Sequence, residues 1–99
     1  VVVLCAGWNN RISIEDTIFG GALAEKLLRK ANIKFDSDAI RMTYELWLRV
    51  KDNLEEYLKV SDHYQRLINN SADGDIDFCI TQNSISIVPV YNKTDKKIY

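Results

Sequence analysis

Val1–Ala22 reads VVVLCAGWNNRISIEDTIFGGA, and its organisation decides the fold. An apolar run, Val1–Cys5, passes through a polar loop, Ala6–Ile12, into a helix-start pattern at Ser13. This order predicts a buried strand, a glycine-containing turn and the N-terminus of a helix. In open α/β sheets ligands bind outside the carboxyl ends of the strands, where turn and helix N–H groups point outward. Cys5, Gly7, Asn9, Asn10 and Arg11 gather there, and the first helical turn adds Glu15 and Asp16. So many polar and ionisable groups in one short stretch mark a candidate site.

Local signals place the remaining elements. Ser13 and Asp16 form an S-x-x-D variant of the capping box. Ile14, Ile18, Gly21, Ala22 and Leu28 then recur at helical spacing as far as Lys30. Gly20 and Gly21 each cost about 1 kcal/mol against Ala in a helix interior, which predicts close approach of this helix to the sheet. Ala31–Asp36 reads as a connector. Ser37 or Asp38 caps a second helix with Ile40, Tyr44, Trp47 and Leu48 on one face; a continuation through Leu58 and a break at Asp52–Asn53 both fit. A third helix is expected over Ser61–Ile68, ended by the turn Asn69–Gly74. Asp75 caps a short helical turn through Cys79. Ser86–Tyr91 reads as a strand in which Pro89 marks an edge or the strand's end, and Lys93–Tyr99 as a solvated tail. Tyr44, Trp47 and Cys79 read as core.

A chain of 99 residues is one small domain with a modest core. The formal charge of −1 and the lack of a basic cluster exclude broad nucleic-acid binding. No apolar run approaches the roughly 20 residues that cross a bilayer, and VVVLCAG is too short, without a basic leader, for a secretory signal. Cys5 and Cys79, with no CxxC, read as small buried hydrophobes of a reducing, cytoplasmic compartment. A core-type strand opens the chain without a methionine, and only two strands are evident. The expectation is a piece of a larger, mainly parallel sheet, because such sheets are buried on both faces.

Three chemistries fit the first turn. In the simplest, Ser13 and Asp16 cap the helix, Glu15 complements its dipole and Arg11 pairs with one of the acids. In the second, Cys5-x5-Arg11 between strand and helix matches the phosphate loop of cysteine-dependent phosphatases, with a thiolate nucleophile and an arginine clamp. Two neighbouring carboxylates oppose that reading, since they disfavour both a thiolate and a phosphate dianion. In the third, Mg²⁺ sits between phosphate oxygens and Glu15 or Asp16, while Arg11 and the turn amides hold the anion.

The run V-V-L-C-A-G-x-N-x-R-x-S-x-E-D-T-x-x-x-G-A, nearly spelled by Val2–Ala22, resembles the 2-phosphosulfolactate phosphatase family. Ser61-x-His63 with Arg66-Leu67, then Asp75-Ile76-x-Phe78-Cys79 and Val88-Pro89-Val90, follow in the family's order. The resemblance covers most of the chain except roughly 31–59, and implies the helix-rich C-terminal part of a three-layer α/β/α fold. It implies a Mg²⁺-dependent phosphatase that hydrolyses 2-phosphosulfolactate to sulfolactate, a step towards coenzyme M. Its implied site has Asp16 and Glu15 handling the metal, and Arg11, Gly7, Asn9 and Asn10 binding the anionic phosphoester. Cys5 matches the family as well, and burial at a strand end explains it equally; His63, the only histidine, would protonate the leaving alkoxide if it reaches the site, and otherwise reads as a surface or packing residue. Trp8 stands where a small residue or Thr is expected, and Tyr64 where Gly is expected, so the site loop is reshaped. The family's first half is the implied partner, without which this piece is expected to be inactive; a homo-oligomer remains open. A non-catalytic α/β ligand-binding module is the alternative.

Overall fold

A computed structural model describes residues 1–30 and 32–99, the side chain of residue 73 excepted. Five α-helices and a terminal hairpin follow one another: α1 (Ile14–Lys30), α2 (Asp38–Val50), α3 (Leu54–Leu58), α4 (Asp62–Asn69), α5 (Ile76–Ile80), β1 (Tyr91–Asn92) and β2 (Lys97–Ile98). The helix starts fall where the capping residues predicted them. Ser61, 3 % exposed, accepts from the Tyr64 amide at 3.1 Å and so satisfies one orphan donor of α4. The break at Asp52–Asn53 is real: a 3₁₀ turn, Lys51–Asn53, separates α2 from α3. The connector expected over Ala31–Asp36 falls outside the described residues at its first position.

The core sits between α1 and α2. Ile18, Trp47 and Val50, each 4 % exposed, form its centre, with Ile14, Ala22, Leu46, Leu54, Tyr57 and Leu58 packed around them. Full burial of one such side chain is worth about 2 kcal/mol. The glycines of α1 make this possible, although against a helix rather than the expected sheet. A Cβ on Gly21 would meet the Thr43 carbonyl oxygen and lie 2.5 Å from Trp47 Cβ. At the edge of the seam Glu25 accepts from the Trp47 indole at 2.5 Å, from Lys51 at 2.8 Å and from Arg29 at 2.6 Å. The Lys51 ammonium and the Trp47 N–H hold its carboxyl far below the usual carboxylate range, at about 2.

The two segments read as strands differ from expectation. Val1–Cys5 makes no ladder among the described residues; it runs beside α1, with Val3 near Gly20 and Val1, Val2 and Leu4 more than nine-tenths exposed. A strand exists only through a neighbour, and none of the described segments offers it one. Of Ser86–Tyr91 only Tyr91 enters a ladder, pairing antiparallel with Ile98. The tail is exposed, as expected of a solvated segment, yet it folds back: Val90 and Tyr99 exchange backbone bonds at 2.8 and 3.1 Å. Tyr44 is half-buried, with its ring 5.2 Å from that of Phe35. Cys5 and Cys79 are both exposed free thiols, which corrects the buried reading of each. Cys79 belongs to a five-residue helix whose only buried side chain is Ile76.

Candidate active site

Gly7–Arg11 is a miniature hairpin. Trp8 donates to the Arg11 carbonyl at 3.1 Å and Arg11 to the Trp8 carbonyl at 2.9 Å. Between them Asn9 and Asn10 both have positive φ, 49° and 61°. That is the type I′ pattern, in which Asn is one of the few residues that tolerate the left-handed region. Gly7 precedes it at φ 67°, and a Cβ there would lie 2.6 Å from the Arg11 carbonyl oxygen. Gly7, Asn9 and Asn10, expected as anion partners, also carry the fold of the loop through these backbone conformations.

Asp16 anchors this hairpin. Its Oδ2 accepts from the Gly7 amide at 2.8 Å, so the carboxylate reaches forward to the loop instead of closing a capping box on Ser13. Ser13 contributes its carbonyl, which accepts from the Thr17 amide and hydroxyl. The Cys5 thiol donates to the Asp16 carbonyl at 3.5 Å. The amides of Gly7, Trp8 and Arg11 are all engaged within this platform, which leaves those three unavailable to an anion.

Beside that platform lies a groove of about 620 Å³. The hairpin lines it with Trp8, Asn9 and Arg11, α1 with Glu15, and α4 with Asp62, His63, Gln65 and Arg66. Cys5 and Asp16 do not line it. His63 is the hinge of the cluster: Arg66 Nη2 lies 3.1 Å from its Nδ1, and Glu15 Oε1 lies 3.8 Å from the same atom. A guanidinium only donates, so in this contact Nδ1 is the acceptor and the ring proton resides on Nε2. Arg66 also stacks on Trp8, with Cζ 4.7 Å from the ring centroid.

Arg66 is the site residue that sequence reasoning missed. Its signal was present, since positions three apart on a helix face the same way, and His63 was already singled out. Of the expected site residues, Arg11, Glu15, His63 and Asn9 share the groove, whereas Asp16, Gly7, Asn10 and Cys5 do not line it. Among the described residues no three His, Cys, Asp or Glu side chains are grouped to hold a metal alone. The groove does offer the acids Glu15 and Asp62. Mg²⁺ commonly takes one or two carboxylates and completes its shell with phosphate and water, so this set suits an ion recruited together with a phosphoester. No described helix is long and apolar enough to cross a membrane.

The family model described as 2-phosphosulpholactate phosphatase matches residues 1–94. A probable 2-phosphosulfolactate phosphatase of Thermotoga petrophila is 33 % identical over 89 residues, covering 90 % of this chain and 37 % of the relative. One from Caldanaerobacter subterraneus subsp. tengcongensis is 35 % identical over 89 residues, with 89 % and 36 % covered. A third, from Clostridium botulinum, is 31 % identical over 93 residues, with 93 % and 38 % covered. The chain thus spans little more than a third of the length of the curated relatives it matches. No solved structure matches it. On the family match and these identities, the chain belongs to the 2-phosphosulpholactate phosphatase family.

Proposed function

We propose that the full-length protein is a Mg²⁺-dependent phosphomonoester hydrolase that converts 2-phosphosulfolactate to sulfolactate and inorganic phosphate, on the route to coenzyme M. One observation carries this reading: Arg11, Arg66, His63 and Glu15 line a single groove, in a chain whose relatives bear that phosphatase name. Hydrolysis of a phosphate ester requires cationic donors for the non-bridging oxygens and a proton for the departing alkoxide. Arg11 supplies the first through charge-assisted N–H donation. His63 supplies the second from Nε2 as the imidazolium, whose Nδ1 is then also protonated and faces Glu15 in place of accepting from Arg66. Asn9 and Asn10, at the hairpin tip, are the proposed additional anion partners. When bound, Mg²⁺ would neutralise charge on the transferring group. Glu15 and Asp62, both on the groove wall, are its proposed holders, while Asp16, expected to share the ion, is turned to the Gly7 amide outside the groove.

The same proposal includes the larger architecture and its setting. The exposed apolar side chains of Val1, Val2, Leu4, Ile87, Val88 and Val90 support a three-layer α/β/α fold in which the rest of the enzyme supplies neighbouring strands. The free thiols of Cys5 and Cys79 are compatible with the reducing cytoplasm.

The test is phosphate release from 2-phosphosulfolactate by the full-length protein. Activity should require Mg²⁺ and disappear with a chelator, and His63→Ala should lower kcat by about 10²–10⁴-fold. Asp16→Asn retains an acceptor for the Gly7 amide, so a large loss in that variant assigns Asp16 to the metal rather than to the loop. Loss of activity in Cys5→Ser with no response to chelator would move the chemistry to the thiol. Binding of the phosphoester without turnover would leave a non-catalytic module.

A further inference from the structure

Arg66 is held in an unusual way for an arginine. Among the described residues no carboxylate lies within ion-pair distance of it: the pairs are Arg29–Glu25, Lys51–Glu25, Lys59–Glu56 and His63–Glu15. Its position is set instead by the Trp8 ring beneath it and by one hydrogen bond to His63. A guanidinium has five N–H donors in a planar fork. Stacking orders that fork without neutralising it, and a single bond to a neutral ring leaves most of the donors available. The side chain is half-buried, which confines it on the groove wall. An ordered, uncompensated guanidinium in a groove is a receptor for an oxyanion.

The groove contains a second arginine, Arg11, from the opposite element. A phosphoryl group uses one of them, and its leaving oxygen needs His63. Resting on the phosphoester reading, we propose that Arg66, shelved on Trp8, binds the substrate's other acid group, a carboxylate or sulfonate on the carbon chain attached to the ester oxygen. That contact is what would set the proposed substrate, a phosphoester of a hydroxy acid, apart from a simple alkyl or sugar phosphate. Arg66 reads the acid, and Trp8 fixes the plane in which it does so. Trp8, a bulky residue in a turn whose other positions are dictated by backbone conformation, gains a specific task.

Selectivity of the full-length protein tests this. Three esters are compared by kcat and KM: 2-phosphosulfolactate, 2-phospholactate, which lacks the sulfonate, and glycerol 2-phosphate, which lacks both acids. Arg66→Lys keeps the charge and removes the fork. It should lower kcat/KM for the acid-bearing esters at least tenfold more than for glycerol 2-phosphate, chiefly through KM. Equal preferential loss for both acid-bearing esters identifies the carboxylate; preferential loss for 2-phosphosulfolactate alone identifies the sulfonate. Trp8→Phe and Trp8→Leu should weaken the same selectivity in that order, with the thermal midpoint recorded to separate folding from binding. Equal losses on all three esters, or no loss, overturn the proposal. If the wild-type protein hydrolyses none of them, the phosphatase reading fails by itself. Calorimetry with sulfoacetate then decides the anion site: binding that weakens at least tenfold in Arg66→Lys sustains it, and absence of binding overturns it.

Discussion

Glu15 and Glu25 lie on the same helix and meet opposite surroundings. Glu25 accepts from Trp47, Lys51 and Arg29 and joins α1 to α2. Among the described residues, Glu15 has one basic side chain within 4 Å, the His63 ring at 3.8 Å, beyond hydrogen-bond reach. The first carboxylate has its acceptor capacity filled by the protein; the second retains it. The contrast extends to the arginines, since Arg29 is ion-paired while Arg66 rests on an aromatic face. Saturated charges mark the seam that holds the helices together, and unsaturated charges mark the face available to a ligand.

The sharpest way to break this division is to force the seam apart. In Gly21→Val the new side chain collides with the Thr43 carbonyl and with Trp47 Cβ. Neither can yield without moving α2, so overpacking should destabilise the full-length protein by about 3 kcal/mol in chemical denaturation. Activity of the surviving folded fraction should fall much less, because α1 gives the groove only Ile14 and Glu15 of its first turn, away from Gly21. A loss of turnover out of proportion to unfolding would mean that the seam and the groove are one unit.

How much of this was legible follows from the range of each signal. Helix starts were readable because a cap such as Ser61 acts within one turn. The glycine pair announced a close contact but could not name the partner: Gly21 has no Cβ whether a sheet or α2 lies against it. Asp16 looked like a capping residue since its spacing from Ser13 is right, yet the Gly7 amide, distant in sequence, claims its side chain. Val1–Cys5 is apolar enough for a strand, but a ladder is a property of two segments. Half of the groove was evident from residues 8–15, because they are contiguous. The other half comes from α4, and the stacking of Arg66 on Trp8 is a tertiary contact with no local trace beyond the spacing to His63.

A milder probe of the same comparison is acid. Glu25 is held at about 2 against an ordinary 4.5, so its contribution is fully present above about pH 4.5 and is lost as the pH falls through about 2. Stability of the full-length protein should decline across that window, and Glu25→Gln should flatten this part of the profile while weakening the protein at neutral pH. The effect should be smaller than that of Gly21→Val, since the carboxylate sits at the rim of the seam. Unchanged acid dependence in Glu25→Gln would remove Glu25 from the seam's electrostatics.

The smallest effect is expected at the neighbouring glycine, where the sign reverses. Gly20 is buried like Gly21, yet a Cβ there would meet only Thr43 Cγ2 at 3.4 Å and Val3 Cγ1 at 3.8 Å. These are ordinary contacts with side-chain methyl groups, one of them on the segment that runs beside α1. Gly20→Ala should therefore recover the helix-propensity difference and stabilise the protein by about 0.5 kcal/mol, read as a higher denaturation midpoint. Because Val3 is half of that contact, the gain also reports whether Val1–Cys5 keeps its place along α1 in the full-length protein. A destabilisation of Gly20→Ala would mean that a tighter neighbour, such as a strand of the completed sheet, covers Gly20 there, and the close approach expected between this helix and a sheet would hold at one glycine while α2 accounts for the other.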